Sequence, residues 1–241
     1  MKSLTLLTAL SLLLTSCGAI GGWAGERVNG EGEPQTESRD VGAFSQVSLS
    51  GVGEVHLHQG AYKPIEITAE QNILDIMETE VRGDRLHIGT KKGYYIGRTE
   101  KLEIHVWSQE YTSAHSSGAG DIRTTDRISG DDFDISLSGA GSFSGDLEVK
   151  ELRTDISGAG SATLSGSAQK HEFHISGAGS VSAYDLRTES SLANISGAGD
   201  AKLHCESELE AHVSGAGSIR YRGNPNVEKH ISGAATIKAD R

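Results

Sequence analysis

From residue 112 onward, apolar and polar residues alternate in short runs that restart about every 19 residues, each broken by the same glycine-rich step. The step is Ser-Gly-Ala-Gly, found six times between Ser117 and Gly217 at intervals of 21, 19, 19, 20 and 18 residues, with a degenerate copy at Ser232 after 18 more. Just before its serine stand Leu137, Ile156, Ile175, Ile195, Val213 and Ile231; five residues after it come Ile122, Phe143, Ala162, Val181, Ala201, Ile219 and Ile237. Polar residues fill the alternate sites, with Asp155, His174, Asn194 and His212 two before the serine and Ser144, Thr163, Ser182, Lys202 and Arg220 six after it. Alternation with period two marks a strand with one buried face. The apolar positions therefore point inward, and each repeat reads as strand, tight corner, strand, and a looser turn near Gly145, Gly166 or Gly223.

A strand-helix-strand unit needs about 30 residues or more, so no helix fits between successive corners. Two short strands and two corners do fit. Stacked at about 4.8 Å per coil, they place like residues in columns, which predicts an all-β solenoid, a β-helix. An antiparallel meander with a two-strand period gives the same spacing. Ordering one coil costs about 1 to 2 kcal/mol per residue, whereas each buried Ile or Val returns about 1.5 to 3 kcal/mol. A lone coil does not stand; stability comes from neighbours stacked on both sides.

The other end of the chain has a different pattern. Lys2 precedes a weakly polar to apolar run, Leu4 to Leu14, with the length and flanks of a secretory signal peptide and too short to span a bilayer. It ends in Leu14-Thr15-Ser16-Cys17, which resembles the bacterial lipobox; that resemblance implies cleavage after residue 16 and lipid on Cys17. Residues 17–42, rich in Gly, Glu, Ser and Asn, read as lipidated cysteine plus flexible tether. The β-helix domain is expected over 43–241, with cap and first coils in 43–111 and the repeats in 112–241. Within the cap, Ser50-Gly-Val-Gly53 reads as a diverged corner, Asn72 to Glu80 as a short helical stretch, and Lys91 to Arg98 as a basic, aromatic loop.

Composition alters this picture little. The hydrophobic fraction of 36% is low only until the 31 glycines are counted. The net charge of −11, more negative still once Lys2 is removed, opposes nucleic-acid binding and electrostatic attachment to anionic lipid. With Cys17 assigned to lipid, Cys205 has no partner for a disulfide and reads as a small packed thiol.

Several motifs together resemble one family. A Phe44-x-x-Val-x-Leu-Ser-Gly51 opening leads to a Gln59-Gly60 turn and an Asn72-Ile-Leu-Asp-Ile76 helix that runs into Glu78-Thr-Glu-Val81. The strand Leu86-His-Ile-Gly-Thr-Lys91 and the serial Ser-Gly-Ala-Gly turns follow. From Phe44 to the C-terminus the chain is similar to the putative auto-transporter adhesin, head GIN domain family. The resemblance implies a right-handed, single-stranded parallel β-helix, superficially like pectin lyases, without an identified catalytic set and with a role in adhesion. Trimeric autotransporters end in a membrane-anchor barrel, whereas this sequence ends four residues after Ile237, so attachment is expected through Cys17.

Three chemical readings compete with this one. Gly-Ala-Gly-Asp at Asp121 and Asp200 is faintly like a calcium-binding nonapeptide roll, but the period is wrong. The column two before the serine reads His115, Ser136, Asp155, His174, Asn194, His212 and His230; its last two members would face each other on adjacent coils, with no third ligand evident in the sequence, so no metal is expected. Polysaccharide cleavage is the alternative function, on the analogy of β-helical lyases. The carboxylates near the second turn, Asp146, Asp185 and Glu206, read better as turn residues than as an acid-base set. What remains is a noncatalytic envelope lipoprotein without cofactor, held in the outer membrane by its lipid. It is expected to bind a glycan or an envelope or host-surface protein through Tyr94, Tyr95 and Trp107.

Overall fold

At each Ser-Gly-Ala-Gly step the chain turns a corner suited to glycine, and the corners stack. The computed structural model describes residues 25–240. The first glycine of the step has positive φ from Gly51 (101°) through Gly177 (129°) to Gly233 (124°). The next N–H donates to a glycine carbonyl one coil earlier, as Ala178 does to Gly158 at 2.9 Å and Ala198 to Gly177 at 2.8 Å. Beyond the corner, Ser142–Gly158, Ser161–Gly177, Ser180–Gly197 and Asp200–Gly215 pair in parallel with their neighbours along most of their length. Parallel pairing decides for the β-helix and against the meander, and the fold is a right-handed, single-stranded parallel β-helix with coils of about 19 residues. Leu137, Ile156, Ile175, Ile195 and Val213 on one wall, and Phe143, Ala162, Val181, Ala201 and Ile219 on the other, are all buried.

The unequal repeat lengths have structural addresses. Two extra residues between Thr124 and Ile128 lift the segment Thr125–Arg127 out of the ladder: Arg123 pairs with Ser144, 21 positions on, but Ile128 with Leu147, only 19 on. The coil Ser180–Gly197 has a bulge opposite Thr163 and Ser165. There Tyr184 packs against the Arg222 guanidinium at 4.1 Å and donates to Asp240 at 2.5 Å. Both irregularities fall away from the glycine corner, whose stacked backbone has no slack.

The N-terminal section departs from expectation in three ways. Chain order is not stacking order: Gln46–Gln59 lies between the rung of Arg85–Thr90 and Glu103–Ser108 and the rung of Ser113–Thr124. The crossing from Ser108 to Ser113 is pinned by Tyr111, buried, whose hydroxyl donates to Val106 O at 2.9 Å, and by Ser108 Oγ donating to Phe44 O at 2.5 Å. The helical stretch is only Gln71–Leu74; Met77–Arg82 is instead a strand, antiparallel to Arg85–Thr90 across a turn at Gly83. Met77, Thr79 and Val81 alternate with the exposed Glu78 and Glu80, as a strand requires; Met77 and Val81, four apart, would fit a helix equally, and the pairing with Arg85–Thr90 decides. Part of the stretch expected as a flexible tether, 17–42, is instead regular structure. Glu26–Val28 and Gln35–Arg39 are strands, and Arg39 is clamped by donating to Met77 O at 3.0 Å and Leu74 O at 2.9 Å.

At the other end Ile231, expected to point inward into a closed core, is 47% exposed. Its strand Asn226–Gly233 pairs only with Glu208–Gly215 below it, so among the described residues no coil covers it. Cys205 is the packed thiol expected, fully buried with Sγ 2.9 Å from Glu208 O. No helix among the described residues is long and apolar enough to cross a membrane.

Candidate functional site

Two groupings of side chains outside the repeats occupy the N-terminal section. The first is a ledge beside the coils. A turn at Gly93 (φ 91°) sends Tyr94–Ile96 out to pair in parallel with Glu26–Val28, in a two-stranded sheet separate from the β-helix. Glu26 N donates to Gly93 O at 2.6 Å, and Thr90 Oγ1 donates to Tyr94 O at 2.9 Å, so the ledge is fixed from both sides. Tyr94 and Tyr95 are 38% and 47% exposed. As consecutive residues of a strand they stand on opposite faces of the ribbon, each offering an apolar ring and a hydroxyl donor, a combination favoured at interfaces.

Trp107 does not join them. It lies in the second grouping, stacked on His58 with centroids 4.8 Å apart and an interplanar angle of 15°, with the Lys63 ammonium 5.3 Å from its centroid. The origin of this grouping is a pattern the sequence reading missed. Glu54-Val-His56-Leu-His58 and Glu103-Ile-His105-Val-Trp107 repeat one motif, and the structure pairs them residue for residue as adjacent parallel strands. Val55, Leu57, Ile104 and Val106 are buried inward, so the charged and aromatic members line the outer face together.

Distances within the grouping are short. The His56 and His105 rings stack at 4.5 Å, and His58 Nε2 lies 3.0 Å from His105 Nδ1. His56 Nε2 is 3.1 Å from a Glu54 oxygen and 3.3 Å from a Glu103 oxygen, while Arg123 and Lys101 hold those carboxylates at 2.6 and 2.5 Å. The lifted segment at Thr125–Arg127 brings the Asp126 carboxylate to 3.6 Å from His58 Nδ1. Burial, and then the positive charge His105 can carry, hold His56 and His58 below the ordinary imidazole pKa. Lys101, with its hydrogen bond and charge, keeps the Glu103 carboxyl below the usual range.

Most of the residues singled out from sequence on the repeats have structural partners. Asp121 accepts from Ser142 N at 2.9 Å and from its hydroxyl at 2.6 Å, and Asp200 accepts from the Ser218 hydroxyl, so each carboxylate caps the following coil. Arg127 donates to Asp146 at 3.1 Å, and Glu206 lies 3.2 Å from His204. His212 and His230 stack at 4.5 Å as their column predicts, and Glu210, 2.7 Å from His212, adds a third donor atom that the sequence did not reveal. Between that column and the corner serines runs an open groove of about 730 Å³, floored by Ile175, Ile195 and Val213. Cys17 lies outside the described residues.

Solved structures share this architecture. A putative adhesin from Bacteroides fragilis NCTC 9343 is 25% identical and superposes with a TM-score of 0.83 over 88% of this chain and 100% of its own. A putative adhesin from Parabacteroides distasonis ATCC 8503, also 25% identical, gives 0.72 over 89% and 100%. A putative lipid binding protein from the same strain, 20% identical, gives 0.77 over 90% and 100% and shares the fold. No curated protein matches the chain at a significant level. The family described as putative auto-transporter adhesin, head GIN domain, matches residues 43–225, and the chain belongs to that family.

Proposed function

We propose that this protein is a noncatalytic cell-envelope lipoprotein whose β-helix is a rigid stand for an adhesin-like binding surface at its N-terminal end. The observation that carries the reading is the ledge: Tyr94 and Tyr95 are exposed, held on a hydrogen-bonded strand, and project outside the coil stack. Rigid aromatics lose little conformational entropy on contact, and irregular segments set on a regular scaffold commonly carry recognition. Family membership and the two adhesin relatives support the same class. The ligand is a glycan or an envelope or host-surface protein. Trp107, packed among His58, His105 and Lys63, belongs to the histidine grouping more directly than it offers a stacking face.

Attachment follows from the lipobox-like Leu14-Thr-Ser-Cys17, and the outer membrane is the proposed destination. One acyl chain holds a membrane only marginally, so a stable anchor needs the multiple chains of a lipoprotein cysteine. Cys17→Ala is expected to move the protein from the membrane fraction to the soluble fraction. Mass spectrometry of the mature wild-type protein should begin at a lipid-modified Cys17; an unmodified Cys17, or another N-terminus, contradicts the anchor.

Binding is tested by presenting the purified protein to an array of glycans and envelope proteins. Tyr94→Ser together with Tyr95→Ser should reduce retention by about tenfold or more, since aromatic anchors at interfaces are worth about 2 kcal/mol or more each. The thermal midpoint should not move. Retention unchanged by these substitutions but abolished by changes along the His174 to His230 groove would transfer the site to the repeats.

A further inference from the structure

The geometry points to a divalent transition-metal site of the zinc class, formed by His56 Nε2, His105 Nε2 and the Glu103 carboxylate on adjacent rungs at the N-terminal end. One ligating atom from each of the three residues lies within 4.8 Å of the others. Around a tetrahedral zinc with bonds of about 2.0 to 2.2 Å, donor atoms stand about 3.3 Å apart. His56 Nε2 is 3.3 Å from one Glu103 oxygen, and the other Glu103 oxygen is 4.0 Å from His105 Nε2. The two rings stack with planes 16° apart, so their in-plane lone pairs run side by side, and one imidazole must turn out of the stack for both to reach one ion. Glu54, 3.1 Å from His56 Nε2, stands by as a fourth donor.

A second, independent observation is that His56 Nε2 is a buried polar atom with no hydrogen-bond partner, although two carboxylates lie beside it at poor angles for one. Such an atom is costly to bury unless something binds it. The side chains around it also have the form of a metal's outer shell. Asp126 faces His58 Nδ1 and favours the proton there. His58 Nε2 then accepts from His105 Nδ1–H at 3.0 Å, and His105 Nε2 is left with its lone pair free to bind a cation. Stacking of His58 on Trp107 holds that relay in place. Two imidazoles and a carboxylate suit zinc, whereas calcium takes six to eight oxygens.

The site ties two rungs that are far apart in sequence, since His56 belongs to the strand inserted between rungs formed later in the chain. The cluster Glu210, His212 and His230 has a comparable donor set but is more exposed, and none of its ring nitrogens is a buried atom without a partner. It therefore serves as the control.

The test is calorimetric titration of the metal-stripped, purified full chain with zinc chloride. We expect one saturable site that survives His212→Gln with His230→Gln. His105→Gln should weaken it by about a hundredfold or more, and Asp126→Asn, which acts through His58 rather than on a ligand, by about tenfold with stoichiometry unchanged. Zinc should also raise the thermal midpoint of wild type and not of His105→Gln. No saturable binding by wild type, or binding that persists in folded His105→Gln and disappears in His212→Gln with His230→Gln, overturns the assignment. If His105→Gln does not fold, an Asp126→Asn affinity equal to wild type overturns it instead.

Discussion

Gly177→Val is expected to destabilise the protein by about 2 to 6 kcal/mol, a large share of the margin of an ordinary domain. Two costs combine. At φ of 129° a β-branched residue meets backbone strain of about 1 to 3 kcal/mol. A Cβ built there would lie 2.6 Å from the Gly158 carbonyl oxygen and 3.2 Å from Gly158 N, and forcing the coils apart costs about 1 to 3 kcal/mol more. Gly32 separates the two effects, because its φ is 86° yet nothing lies within 4 Å of a Cβ there. Gly32→Val should show the strain cost alone, and Lys202→Thr, exposed on a central coil, almost none. Urea midpoints measured for the three variants should fall in that order; a Gly177→Val midpoint equal to that of Lys202→Thr contradicts the stacked corner.

The second large effect concerns His171, which sits in the inward column with Leu152 on one side and Ser191 on the other. Its Nε2 lies 3.1 Å from Thr154 Oγ1 and its Nδ1 has no partner. Complete burial pushes its pKa down from 6.5 to about 3. The folded state therefore keeps the ring neutral while the unfolded chain takes up a proton as pH falls below about 6.5, so the sign is destabilisation by acid. The contribution is whole above pH 6.5, shrinks by about 1.4 kcal/mol per pH unit below it, and levels off once the folded state also protonates near pH 3. Other groups titrate over the same range, so the informative quantity is a difference. His171→Leu places in the column the residue already present at Leu152 and Leu209. Its stability relative to wild type should rise by about 2.7 kcal/mol between pH 7 and pH 4.5. A difference that is constant with pH contradicts the buried neutral ring.

What the sequence disclosed and what it concealed divide along physical lines. Columns such as Ile156, Ile175 and Ile195 were legible because strand alternation and a fixed repeat both constrain them, and the glycines because no other residue meets the corner's backbone and space together. Stacking order at the N-terminus was not legible: nothing local in Gln46–Gln59 says that Arg85–Ser108 will slide beneath it. The end of the helical stretch expected over Asn72 to Glu80 was not legible, because Ile73 and Met77 fit a helix's spacing as well as Met77, Thr79 and Val81 fit a strand's alternation. Ile231 keeps the inward pattern, but pattern does not tell whether a further coil arrives to cover it. Tyr94 and Tyr95 stood out as aromatics in a polar loop, whereas joining Trp107 to them relied on nearness in sequence. The histidine cluster had a signal in the twinned Glu-x-His-x-aromatic strands. It went unread because the two copies are 49 residues apart and off the repeat period.

The claim that this β-helix presents a surface rather than performs chemistry is tested most directly by incubating the purified protein with the arrayed glycans and reading retention and product release from the same samples. The account predicts saturable retention on at least one ligand, lost with Tyr94→Ser and Tyr95→Ser, and glycans recovered at their original length. Sustained shortening of a polysaccharide, abolished by a single Asp or His substitution that leaves the thermal midpoint in place, would contradict it.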